Sequence, residues 1–159
     1  MRKNLIHPET MTRRPEAEEK WLALEEIARV EVTSEDPSFP IESALAADTG
    51  PGWHATKAGE QSIRIIFDAP TTLHRIRLEF SETELERTQE FTLHWSRRED
   101  APLQEIVRQQ WTFSSRGSTS EVDNYQVQLE NLSILSLRIR PDLNPQSHAL
   151  ATLSKLRLA

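Results

Sequence analysis

Residues 61–80 read QSIRIIFDAPTTLHRIRLEF, and the alternation inside this stretch decides the fold. Ile63, Ile65 and Phe67 share one side of an extended chain, as do Ile76, Leu78 and Phe80. Between them lies Asp68-Ala69-Pro70-Thr71, where proline fixes φ, removes a ladder donor and favours a turn. The spacing predicts two half-buried strands joined tightly as an antiparallel hairpin. An isolated hairpin is marginal in water, so other strands must cover its apolar face.

The rest of the chain supplies them. Ile27, Val30 and Val32 mark a first strand, and FTLHWS (91–96) and EIVRQQWTF (105–113) mark two more. Tyr125, Val127 and Leu129 alternate, then Leu135, Leu137 and Ile139 beyond a turn at Asn131–Ser133. Leu153, Leu156 and Leu158 close the chain. About eight short strands with no βαβ rhythm predict an all-β jelly-roll sandwich of antiparallel strands. Ahead of it, residues 1–14 form a polar tail. Pro15, the acids behind it, and Ala17, Trp21, Leu24 and Ala28 at helical spacing predict a short N-terminal helix over 15–26. The domain proper is then 27–159. Residues 35–60 show no sustained period, which in a compact domain marks a binding loop.

Composition narrows the function. A net charge of −6 argues against nucleic acid and anionic membrane as partners, because both need a local excess of lysine and arginine. No cysteine is present, which excludes disulfides and thiolate metal sites and leans towards a reducing compartment. No apolar run follows the basic start, so a soluble cytoplasmic protein is the expectation. The five histidines fall at no metal-ligand spacing, and four glycines leave no phosphate loop. The chain reads as non-catalytic and free of cofactors.

The order ARVEVTSEDPSFPIESALAAD, GPGW, QSIRIIFDAPTTLHRIRLEF, QEFTLHWSRRED, YQVQL, LSLRIRPDL and ALATLSKLRL resembles the discoidin or coagulation-factor type C family, from about Ala28 to Ala159. That family has a galactose-binding-like jelly roll and includes many carbohydrate-binding modules. The resemblance implies ligand loops at the end of the sandwich opposite the termini. It also implies a structural calcium between the Ala44-Leu45-x-x-Asp48 loop and a glutamate of the last strand. Here Lys155 stands at the glutamate position, and an ammonium supplies no oxygen ligand, so no metal is expected. Lys155 either donates to Asp48 and loop carbonyls or is exposed on an edge strand.

If the strands run up and down, 34–61, 81–90, 114–121 and 141–149 share the end away from the termini. Its acids (Glu35, Asp36, Glu42, Asp48, Glu60, Glu82, Glu84, Glu86, Glu90, Glu121 and Asp142) outnumber its bases (Lys57, Arg87 and Arg116). Such a surface favours a glycan or other neutral small ligand. Phe39 is a candidate platform for a sugar face, or a plug folded back on the loop. His54, Arg87, Arg116, Asn144 and His148 are the candidate hydrogen-bonding residues, while Trp53 reads as core. The function this supports is carbohydrate binding. The alternative is a protein-interaction or scaffold domain on the same loops or on the helix of Trp21.

Overall fold

The computed structural model describes residues 20–47 and 50–159. In chain order these form α1 (Leu24–Ile27), β1 (Ala28–Val32), α2 (Glu42–Leu45), β2 (Trp53–Ala58), β3 (Gln61–Ser81), β4 (Arg87–Ser96), β5 (Gln104–Phe113), β6 (Ser120–Arg140), β7 (Leu150–Leu153) and β8 (Lys155–Leu158).

The stretch 61–80 is not a hairpin. Its two halves make no ladder with each other and belong to one strand, β3, which pairs with β6 along both halves. Near Gln61, β3 lies beside Ile139 of β6, and Ile139 in turn pairs with Phe91 of β4. A straight strand would carry Phe80 about 60 Å from Gln61. Yet the Phe80 and Phe91 rings stack with centroids 5.3 Å apart. The β3–β6 ribbon is therefore folded over on itself. It creases where the register shifts, between Ile66 and Arg75 on one strand and around Asn131, at φ 56°, on the other. The chain does reverse at Asp68–Thr71. Its halves then face each other across the core instead of pairing edge to edge.

This crease makes the sandwich. One layer runs β1, the first half of β3, the second half of β6, β4 and β5. The other runs β8, the second half of β3 and the first half of β6, and a separate β2–β7 pair lies outside that sheet. Ile63, Ile65, Phe67, Leu73, Ile76, Leu78 and Phe80 all enter one core with Phe91, Leu93, Leu135, Leu137, Ile139, Leu156 and Leu158. All-β antiparallel architecture thus holds, with an unexpected strand (β2) inside the loop 35–60.

The predicted helix over 15–26 is replaced, where it is described, by an irregular run ending in one helical turn, Leu24–Ile27. Residues 1–19, with the tail and the start of that helix, lie outside the described residues. Here Leu22 N donates to Leu158 O at 2.7 Å, so a partner strand holds the backbone. Trp21 docks under two guanidinium groups, with Arg75 and Arg157 5.1 and 5.7 Å from its ring.

The two ends of the sandwich are distinct. Ala159 O accepts from His74 N and Arg75 N just past the β3 crease, so the C-terminus lies at the crease end. At the opposite rim, Glu82 N donates to Thr119 O and Leu143 N to Thr88 O. The segments 34–47, 50–60, 81–87, 113–120 and 141–149 gather there.

Candidate functional site

The rim holds a cleft of about 290 Å³ lined by Pro51, Trp53, His54, Ser81, Glu82, Thr83, Glu84, Thr152, Leu153 and Ser154. Trp53 is fully buried, its Nε1 donating to Ser34 O at 3.1 Å, and so forms the floor. Gly52 brings the loop down at φ +88°; a Cβ there would lie 2.6 Å from Leu153 O, so the close approach of wall to strand requires glycine.

His54 stands on the wall at the start of β2. Its ring stacks on Phe39 with centroids 3.9 Å apart and planes 4° from parallel. Backbone bonds fix the pair, Phe39 N to Asp36 O and His54 N to Phe39 O. Phe39 is thus half-buried, one face covered by imidazole. Burial pushes the His54 imidazole below the ordinary histidine value, against the pull of the Asp36 carboxylate. A neutral ring at pH 7 offers both a donor and an acceptor, which suits a hydroxyl ligand.

The acids of the cleft differ in role. Glu82 is committed: Oε1 accepts from Arg87 Nε at 2.7 Å, and Oε2 from the backbone of Glu84 and Leu85. Burial raises its carboxyl, but these hydrogen bonds and the Arg87 charge outweigh that and hold it below the usual range. Glu84 is exposed at the edge. Thr152 lines the cleft, and its Oγ1, shielded from solvent, has no partner among the described residues.

The remaining candidates scatter. Arg87 is not a loop donor at all: it is 3% exposed. Besides Glu82 it reaches Pro141 O at 2.7 Å, and its guanidinium lies 4.9 Å over the Phe113 ring. It clamps the loops 82–86 and 141–149 to β5. Asn144 lines a separate hollow with Glu60, Arg140 and Asp142, where its Oδ1 caps Gln146 N. Arg116 and His148 are exposed on their own turns, away from the cleft lining. Glu121, counted among the rim acids, is 1% exposed and faces the core; Glu90 is 7% exposed and pairs with Arg108. Sequence reasoning missed Thr152, although its place in the alternation of LATL carries the signal.

Lys155 Nζ donates to Ala46 O at 3.1 Å, so the ammonium occupies the place where the resemblance implies a calcium ligand. Asp48 lies outside the described residues. These residues do not fit a calcium ion: an ammonium lies against the loop carbonyl, and it supplies no oxygen ligand. Adding calcium or EDTA should leave the Tm of the domain unchanged, and a calorimetric shift of several degrees would overturn that assignment.

No family model matches the chain. No curated protein matches it either. Solved structures do. A pectin-binding carbohydrate-binding module superposes with TM-score 0.57 at 16% identity, covering 83% of this chain and 89% of that one. The likeness is one of fold. The family 32 module CpGH89CBM32-5 of Clostridium perfringens, solved with GalNAc-β-1,3-galactose, gives TM-score 0.64 at 13% identity over 87% of this chain and 99% of that one. The family 32 module of C. perfringens NanJ, solved with galactose, gives 0.57 at 14% identity, over 87% and 96%. A Ruminococcus gnavus GH29 fucosidase matches over 84% of this chain but 25% of its own, as a part of a larger enzyme. The chain thus has the galactose-binding-like fold of these modules.

Proposed function

We propose that this chain is a non-catalytic carbohydrate-binding module, of the discoidin-like kind its order of segments resembles, taking a neutral sugar in the rim cleft. The observation that carries this reading is a neutral, ring-stacked His54 on the wall of a cleft at the end away from the C-terminus, with the exposed Glu84 at its edge. Sugar hydroxyls suit a neutral imidazole, which offers one donor and one acceptor. The exposed Glu84 carboxylate disfavours an anionic ligand and can accept from a hydroxyl. Sugars bound by the fold's relatives, galactose among them, support the class. The acids of the cleft are a committed ion pair and a solvated edge residue, not a poised acid–base pair.

Titration with a panel of neutral galactosides and N-acetylhexosamines tests the reading. At least one should bind, and His54→Ala should weaken it about tenfold, or about 1.4 kcal/mol, with the Tm held. Binding unchanged in that variant, or no neutral sugar bound, would sink it.

A further inference from the structure

A further cavity lies at the other end. It measures about 420 Å³ and is lined by Trp95, Ser96, Arg97, Arg98, Ala101, Pro102 and Gln104. That volume falls within the range of small-molecule sites. No carboxylate lines it, whereas the rim cleft carries Glu82 and Glu84 and the hollow of Asn144 carries Glu60 and Asp142. In a chain of net charge −6 this sets it apart from both.

The ion pairs of the turn decide which charge is available. Arg98 is neutralised by Asp100 through two hydrogen bonds, and Glu99 by Arg29 at 2.6 Å. Arg97 is left without a carboxylate partner among the described residues. It is nonetheless ordered. Its Nε donates to Glu130 O at 3.1 Å, and its guanidinium lies over the Trp95 ring at 5.6 Å. The nearby Glu130 carboxylate accepts from Gln128. Both Arg97 Nη groups therefore keep their donors, on a fork already held in place by stacking. The turn beneath is fixed by Ser96 Oγ, which donates to Arg98 O and accepts from Arg98 N.

We propose that this cavity is a second binding site, selective for an acidic sugar. The ring carboxylate pairs with the two Nη groups of Arg97, the apolar ring edge rests on Trp95, and Gln104 takes a hydroxyl. A planar fork matches a carboxylate bidentately, and an aromatic face suits a carbon-rich ring edge better than a flexible acidic peptide. The two ends of the module then divide their ligands by charge.

Calorimetric titration of the full chain with tri-galacturonate, galactotriose and penta-glutamate tests this, using Arg97→Gln, an exposed change whose Tm should match wild type. Tri-galacturonate should bind more weakly as salt rises. Arg97→Gln should weaken it at least tenfold, and His54→Ala should leave it intact, which separates this site from the rim cleft. The proposal fails if tri-galacturonate does not bind, if Arg97→Gln binds it like wild type, or if penta-glutamate binds as tightly.

Discussion

Replacing Arg87 with methionine lowers the stability of the domain by about 3 kcal/mol, the scale for removing one partner of a buried ion pair. The methionine keeps most of the volume and none of the donors. Glu82 then loses its 2.7 Å charge-assisted bond, Pro141 O loses its partner, and the Phe113 face loses its cation. For a chain of this length that is a fall in Tm of about 6–12 °C. Arg87→Lys should recover little of it, because a point charge cannot serve Glu82, Gln89 and Pro141 together. Because Glu82 lines the rim cleft, sugar binding should weaken in parallel. A Tm within 2 °C of wild type in the methionine variant would show that Arg87 holds nothing.

The second large effect is a gain. Glu121 sits inside the sandwich on the same strand face as Asp123, with Gln89 Nε2 on its Oε1 at 3.3 Å, and its protonated carboxyl can donate to the Asp123 carboxylate. Burial, then the hydrogen bond and charge of Asp123, push its carboxyl up to about 9, with Gln89 and Arg87 pulling the other way. Its own burial, then the same acids, raise the Tyr125 phenol. In the unfolded chain Glu121 ionises at an ordinary value of 4.5. Between these limits the native state keeps a proton that the unfolded state has released, so stability falls as pH rises through the window. Glu82 and Glu90 act in the opposite sense, since their depressed values withdraw support as pH drops through the acid range. Stability should therefore peak at mildly acidic pH. Glu121→Gln keeps the shape and removes the titration: about 2 kcal/mol is gained at pH 8 and little at pH 4. Thermal melts from pH 4 to 9 read this directly, and a variant whose melts track wild type across that range would refute the buried neutral carboxyl.

How far the sequence speaks is clearest at Asp68–Thr71. Pro70 and the two alternating runs gave the reversal and the buried faces correctly. They are silent on whether the halves pair or oppose, because parity assigns a side chain to a face but not a strand to a partner. Phe80 meeting Phe91, and Gln61 meeting Ile139, are non-local facts. Arg87 failed for a related reason. In a charged run it reads as a solvated loop residue, and what makes its burial tolerable is a carbonyl on a distant loop, that of Pro141. Glu121 was likewise counted with the rim by its neighbours in sequence, when its place opposite Phe80 turns it inward. Of the proposed ligand residues, Phe39 and His54 were brought together and Arg116, Asn144 and His148 were not; Thr152, which lines the cleft, entered from a strand that looked purely structural.

The creased ribbon has a last consequence. Since β3 and β6 run through both layers, no cut between crease and rim leaves one intact sheet behind; any such truncation strips central strands from two walls at once. The pairing that joins the walls is long-range, since Gln61 meets Ile139 across about half the chain, and such contacts slow folding.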